Sequence, residues 1–591
     1  MNNEIRNYIE TQINNADPDR TTVISLRPGS GKSQYIIYRI SEAIRNKQGL
    51  LVVTDSIERL EGMSSADGAD DEIATYIKRN ENKIALLTAD TFQTEIKVAS
   101  YKPVVAMTTQ RFFKMSPVEI NSLISANQFG IKTIMIDEQP DIIKTINISI
   151  EELNIIDSAI NTSLSNLIDP DDKQLLLSSF QQIDESFRDG FQMAESSHDA
   201  GTWSDYYYKP ELADASTTFA RLANKYKSEL QKYNCNIMQM IGAVSMMASD
   251  GAMLISQKIG RKDDANKYCN FLSIVKDYAQ WYTSVNARII IFDGTASLNP
   301  YYQRDFFQVI NCDDSKLLPD LNNLTINLID INTSKSKMMR DSDHRQALID
   351  YLLAQPEVTQ AVFTNQATEK YFDDVAELTG HFQNLKGFNK FRNLTNITQI
   401  GLHRMPDYVY KYLCGYSNGL NINTERNSKS VTRIISKDRL IDYRNQLLLA
   451  DIEQNLFRSK IRNADNNDPV VYNIISAYNG KDSESMINAK LADMIQSRYT
   501  QMGATVNRID TPIEIQISKA QSRNVASETK PQKIFNWLYS KDIGYIFRKK
   551  ELRDDLGFSD AQLNSAILGS PVLKDLFAKM KISRGLYQRL A

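Results

Sequence analysis

The chain has 591 residues, a length that holds about three to five ordinary domains and excludes a single small binding module. Hydrophobic residues make up 42% and charged residues 24%, a globular composition that rules out a wholly disordered or fibrous chain. Lys and Arg number 69 against 72 Asp and Glu, and the net charge of −3 leaves only local patches to attract nucleic acid or an anionic membrane.

Ile5, Tyr8, Ile9 and Ile13 recur at helical spacing, and Asp17-Pro18 ends that helix. The amino terminus carries acids among its apolar residues and has no signal pattern. From Thr22 to about Met135 short β-rich runs alternate with helical patterns: 22–26, 50–54, 84–87, 104–108 and 133–136. Near-continuous apolar strands separated by helices predict a parallel sheet covered on both faces. Residues 145–285 lose that alternation and read as a helical insertion, its most apolar stretch, Ile241 to Ile255, broken by Ser245, Ser249 and Asp250 and too short to span a membrane. The strand 288–292 is expected to rejoin the first sheet. A second α/β unit occupies 319–510, with strands at 325–330, 360–363, 430–435 and after Pro469; 511–530 is a linker, and 531–591 a compact helical unit. Four cysteines, Cys235, Cys269, Cys312 and Cys414, show no C-x-x-C pairing, which predicts neither disulfides nor a cysteine zinc site and a cytoplasmic chain.

The sharpest local feature is Arg27-Pro28-Gly29-Ser30-Gly31-Lys32-Ser33, set between a strand and a helical pattern. Glycines let backbone N–H groups turn inward around phosphate oxygens, the helix N-terminus adds partial positive charge, Lys32 neutralises β/γ oxygens and Ser33 is placed to ligate magnesium. A bound nucleotide also needs an acid for the metal and a base for water. Asp137 and Glu138, at the tip of an apolar strand about one hundred residues on, supply both and are expected on a strand neighbouring the loop.

With these two elements the chain resembles the superfamily 2 helicases and translocases, over roughly residues 20–480. Val52-Val53-Thr54-Asp55 resembles motif Ia and Met107-Thr108-Thr109-Gln110-Arg111-Phe112 the motif after it, which implies that Thr54, Thr109 and Arg111 touch a sugar–phosphate backbone. Phe292-Asp293-Gly294-Thr295-Ala296-Ser297 resembles motif III. Gly415 to Asn421 resembles motif V, implying strand contacts from Gly419 and Asn421, and Gln454 to Arg462 resembles motif VI. Motif VI carries arginines that reach the γ-phosphate from a second domain. Phe457 stands where the family has glycine and the second arginine falls one place late, so the finger is Arg458 or Arg462. The insertion sits where XPD-type helicases carry an arch domain; with no cysteine before Asp137, no iron–sulfur cluster is expected. Its Trp203, Tyr206, Tyr207 and Tyr208 read as packing residues in preference to base-stacking ones.

The segment 531–591 has seven Lys and four Arg against five Asp and one Glu, a net +5. Its helical starts, the turn at Gly557 and a Ser559/Gln562 capping box resemble a winged helix–turn–helix. That implies duplex contacts from Arg548, Lys549, Lys550, Arg584 and Arg589, although the same fold also serves protein partners.

The resemblance therefore implies an α/β chain of two RecA-like P-loop domains (1–144 with 286–318, and 319–510), a helical insertion and a C-terminal winged helix. The implied function is an ATP- and magnesium-dependent helicase or translocase on single-stranded or forked DNA, in replication, repair or mobile-element maintenance. Lys32, Asp137, Glu138, Gln454, Arg458 and Arg462 would be catalytic, with Ser33 and Asp137 holding the metal. The alternative is a nucleotide-gated DNA- or partner-binding factor that does not unwind. No membrane association is expected.

Overall fold

A computed structural model describes residues 3–589 apart from 56–59, 61–71, 89, 139, 141, 164–168, 197–204, 209, 211, 259–267, 313–317, 319, 356, 383–384, 386–389, 418–435, 464, 479–482, 513–529, 542 and 584–585. The first lobe contains β1 (Thr21–Ser25), β2 (Gly49–Thr54), β3 (Ile84–Leu87), β4 (Val104–Thr108) and β5 (Ile131–Asp137). The insertion follows with β6 (Ile143–Ser149), β7 (Asp205–Tyr208), β8 (Ala252–Lys258) and β9 (Tyr268–Asp277), after which β10 (Arg288–Asp293) and β11 (Phe307–Asn311) return to the first lobe. The seven first-lobe strands form one parallel sheet in the order β11-β1-β10-β5-β2-β4-β3. All residues of β1 and β4 are buried, as strands covered on both faces require, and each aliphatic side chain so removed from water contributes about 1.5–3 kcal/mol.

The returning strand takes the place expected for it in the first sheet, but inserts between β1 and β5. The loop after β1 and the acids after β5 are therefore two strand spacings apart, about 10 Å, instead of on neighbouring strands.

The insertion, expected to be helical, carries in addition an antiparallel sheet in the order β6-β9-β8-β7. The sequence hid this because the buried helix Ile237–Asp250 and β8 are both apolar and only Ser249-Asp250-Gly251 separates their apolar runs. Gly251 alone, at φ +93°, ends the helix and starts the strand.

The second lobe holds β12 (Leu324–Asp330), β13 (Ala361–Thr364), β14 (Leu378–His381), β15 (Asn396–Ile400), β16 (Val470–Ser476) and β17 (Thr505–Ile509), parallel in the order β14-β13-β15-β16-β12-β17. β12, β13 and β16 stand where the apolar runs put them, β14, β15 and β17 are additional to the expected strands, and the strand expected over 430–435 lies outside the described residues. Both lobes are parallel-sheet α/β domains, as expected of RecA-like units. One apolar cluster continues from the first lobe into Val409, Tyr410, Leu413, Tyr443 and Leu447 of the second.

The C-terminal unit comprises helix Lys530–Tyr539, β18 (Ile546–Arg548), helices Lys549–Asp555, Asp560–Gly569 and Pro571–Met580, then β19 (Lys581–Ser583) and β20 (Leu586–Gln588) in an antiparallel sheet β18-β20-β19. The Ser559/Gln562 capping box is formed and Gly557 makes its turn at φ +63°, but there is one helix more than the expected three. Its core is aromatic: Phe547 lies 5.1 Å from Trp537 and 5.7 Å from Tyr587 between ring centroids. Among the described residues no helix is long and apolar enough to cross a membrane.

Candidate nucleotide and strand-binding cleft

The loop Arg27 to Ser33 joins the buried end of β1 to helix Lys32–Asn46. Gly29 and Gly31 sit at φ +89° and +95°, the left-handed region that glycine alone enters without steric cost. Ser30 N donates to Arg27 O at 3.2 Å, which closes the turn, and Gly31 caps a helix of 15 residues whose first amides point into the loop. Lys32 is buried, with its Nζ over Gly294: a Cβ there would lie 3.0 Å from Lys32 Nζ and 3.0 Å from Pro28 Cδ.

Asp137, 1% exposed, ends β5 opposite Phe292 in the ladder, and Glu138 donates its backbone N–H to Phe292 O at 2.9 Å. Glu138 holds φ +75°, a conformation that costs a non-glycine residue about 1–3 kcal/mol and that clusters at working sites. Magnesium on a nucleotide takes most of its ligands from phosphate and water, with one hydroxyl and one or two carboxylates from protein. Ser33 and Asp137 fit that donor set. Among the described residues there is no cluster of three or more His, Cys, Asp or Glu able to hold an ion.

The second lobe meets this loop. Helix Lys437–Leu456 is capped by Ser436 and ends in the segment carrying Gln454, Arg458 and Arg462. Gln454 Nε2 donates to Thr295 Oγ1 of the first lobe at 3.2 Å. Arg462 stands against the phosphate loop so closely that a Cβ at Gly29 would overlap its carbonyl oxygen and come within 2.9 Å of its Cβ. Arg458 lines a cavity of about 270 Å³ with Phe382, His403, Asp451 and Gln454. Of the two arginines left open by the sequence, Arg462 is the one whose backbone and Cβ meet the loop at Gly29. Gly29→Ala is expected to loosen the contact between the lobes, because a methyl group there adds left-handed strain of about 1–2 kcal/mol and displaces Arg462. Amide exchange around Ser459 to Asn463 in the purified chain checks it: exchange should quicken in the variant, and an unchanged rate removes Arg462 from the loop.

The helix is held from behind by Glu453, the neighbour of Gln454. Wholly buried, Glu453 accepts from Arg498 Nε at 2.6 Å and Nη2 at 2.9 Å and from the Tyr499 hydroxyl at 3.2 Å.

The strand-contact candidates divide. β2 and β4 are paired, which brings Thr54 and Thr109 together; Thr54 is buried and its carbonyl accepts from Thr109 Oγ1 at 2.9 Å. The Arg111 guanidinium lies 3.9 Å over the Phe92 ring. Gly419 and Asn421 lie outside the described residues, and the start of their stretch, Gly415 to Ser417, is helical, with Ser417 Oγ 2.8 Å from the Tyr443 hydroxyl. Arg548 and Lys550 are exposed on the C-terminal unit, while Lys549 Nζ reaches Asn564 Oδ1 at 3.4 Å; Arg584 lies outside the described residues. Tyr208 is a packing residue, its hydroxyl 2.9 Å from Ser186 Oγ, and Trp203 lies outside the described residues.

Sequence reasoning missed a polar cavity of about 340 Å³ at the C-terminal tips of β12, β13, β15 and β16, lined by Ser334, Lys335, Asn365, Arg404 and Asn488 among others. Arg404 Nη2 donates to Asn488 Oδ1 at 3.0 Å. The available signal was Asn332-Thr333-Ser334-Lys335 directly after the INLIDI strand, a strand-end turn like the one after β1.

No protein-family model matches the chain, and no curated protein matches it. Among solved structures it is similar to S. tokodaii Xpd4, with 13% identity and a TM-score of 0.49 over 85% of this chain and 100% of that one. It is also similar to a variant of S. cerevisiae Dbp5 bound to RNA and ADP BeF3 (8% identity, TM-score 0.34, 88% of this chain and 93% of that one). A third likeness is to the DUF1998 helicase MrfA bound to DNA (8% identity, TM-score 0.33, 88% of this chain and 50% of that one).

Proposed function

We propose that the chain is an ATP-hydrolysing helicase or translocase that grips one nucleic-acid strand, DNA in the first instance, and binds the nucleotide between its two α/β lobes. The observation that carries this reading is that Gln454 and Arg462 of one lobe meet Thr295 and Gly29 of the other at the phosphate loop. A loop that cradles phosphate becomes a motor when a second body senses whether the γ-phosphate is there.

In this reading the amides of Gly29 to Ser33 and the Lys32 ammonium hold the β- and γ-phosphates. Magnesium, held by Ser33 and Asp137, would neutralise the charge that develops on the leaving phosphate. Glu138 orients the attacking water and accepts its proton, and Arg462 stabilises the transferring group from across the cleft. Loss of the γ-phosphate removes the reason for the lobes to stay closed, and the gripped strand shifts as they part. The strand would pass Thr109 and Arg111 on the first lobe and the Ser334, Lys335 and Arg404 cavity on the second. The basic C-terminal unit would meet a flanking duplex through Arg548 and Lys550, which suits forked DNA in replication, repair or mobile-element maintenance.

ATP hydrolysis measured with and without single-stranded DNA or RNA, beside Lys32→Ala, tests the reading. Stimulation by a strand, lost in Lys32→Ala, supports it; a strand-independent rate favours a nucleotide-gated binding factor. Displacement assays on 5′- and 3′-tailed duplexes then report unwinding. Lys335→Ala and Arg404→Ala are each expected to weaken single-strand binding across sequences and to flatten the log–log salt dependence by about 0.7 for each phosphate that the variant no longer neutralises. Titration at several salt concentrations measures this.

A further inference from the structure

The segment from the tip of β10 to the short 3-10 turn Pro300–Gln303 touches both lobes. Asp293 is wholly buried with both oxygens engaged: Oδ1 accepts from Thr295 N at 2.9 Å and Thr295 Oγ1 at 3.0 Å, and Oδ2 accepts from the Tyr302 hydroxyl at 2.9 Å. A hydroxyl has one proton to give. With its proton committed to Asp293, Thr295 Oγ1 presents lone pairs, and Gln454 Nε2 donates to them. Burial, reinforced by the charge of Asp293, pushes the Tyr302 hydroxyl well above its ordinary pKa, so it stays a donor.

The adjacent residue faces the other way. Asn299 Oδ1 accepts from Tyr301 N at 3.0 Å to start the turn, and the Tyr301 ring lies 6.3 Å from the Tyr443 ring in edge contact. Leu298 packs on the second-lobe core. Tyr443 and Gln454 belong to the same helix, eleven residues or about 16 Å apart along its axis. One rigid element of the second lobe therefore touches the Asp293–Tyr302 segment at two separated points.

We infer that Tyr302 is a positioning residue for the nucleotide cleft: through Asp293 it fixes Thr295 as the acceptor for Gln454, while Tyr301 registers the seating of helix Lys437–Leu456 in the same turn. Adjacent tyrosines so join the apolar contact between the lobes to the polar contact beside the phosphates. The inference rests on the ATP-hydrolysing reading above and names a control built into that site.

The test uses the full chain. Tyr302→Phe keeps the ring and removes only the hydroxyl; it is expected to bind fluorescent ADP within twofold of wild type and to lose about tenfold in kcat. Hydrogen exchange of the Thr295 amide in the nucleotide-free protein should quicken at least tenfold, a readout independent of turnover. The Tyr302→Phe, Gln454→Ala double variant should fall no further than Gln454→Ala alone, since both act through Thr295. Should Tyr302→Phe fail to fold, Thr295→Val, which keeps the shape and removes the acceptor, is expected to give the same kcat loss with ADP affinity retained. A Tyr302→Phe rate within twofold of wild type, or losses that multiply in the double variant, overturns the positioning role and leaves the ATPase reading standing. Absence of ATP hydrolysis by the wild-type chain overturns both.

Discussion

With the proposed ATP hydrolysis as premise, replacing Arg462 with alanine is expected to lower the ATP turnover number about 10³-fold and to leave nucleotide affinity within a few-fold of wild type. The split follows from where Arg462 stands. It belongs to the second lobe, so in that reading it would add little to the cradle of amides and lysine proposed to hold the nucleotide, and its charge would matter most when charge builds up on the transferring phosphate. Its backbone touches the phosphate loop at Gly29. Arg458, four residues earlier on the chain, serves as the internal comparison: it lines the cavity of His403, Asp451 and Gln454. Arg458→Ala is expected to cost less than about tenfold. Single-turnover kinetics with a fluorescent-ADP titration measures both quantities, and a larger loss from Arg458→Ala than from Arg462→Ala would reverse the assignment.

How much of this was legible depended on the distance over which each feature is encoded. The phosphate loop is local, because a strand end, two glycines at positive φ and a lysine make the turn within seven residues, and it joins β1 to the helix as the pattern has it; the acid pair ends its strand as expected but lies two strands from the loop, because β10 inserts between them. The return of β10 was equally plain, since Ile-Ile-Ile-Phe fits only a doubly covered strand. Within the insertion's sheet β8 was illegible because it directly follows a buried helix of similar apolarity, where periodicity separates the two states poorly. β14, Leu-Thr-Gly-His, has one apolar side chain and a glycine, and so makes no apolar run, unlike the equally short β3 and β13. The choice between Arg458 and Arg462 depends on how two lobes meet, and no spacing within one helix end contains that. Tyr302 is illegible for the same reason: its partner Asp293 is nine residues away along the chain and the consequence of the pair appears at Gln454.

Glu453→Ala should destabilise the second lobe by about 3 kcal/mol, the low end of what breaking a buried pair costs. The carboxylate is wholly buried and takes three hydrogen bonds, two from Arg498 and one from Tyr499. Its removal strands the Tyr499 hydroxyl, which burial and then the charge of Glu453 hold well above its ordinary pKa, in an apolar core. Arg498 keeps about 20% of its side chain exposed and so recovers some hydration, which is why the cost falls at the low end. Glu453→Gln retains an acceptor and the shape, and is expected to cost about half as much. Two lobes and an insertion do not unfold as one unit, so the measurement is local. Amide exchange in helices Lys437–Leu456 and Ser483–Gln501 should quicken about 100-fold in Glu453→Ala, the equivalent of about 3 kcal/mol, while β1 to β5 hold their protection. Exchange that rises equally in both lobes would mean that the pair supports the whole chain, and no rise at all would mean that packing around Leu449 and Leu456 carries the helix without it. Because Gln454 is the next residue, the same variant should lose turnover even at temperatures where it remains folded: the helix that presents the amide to Thr295 is held from behind by this buried charge.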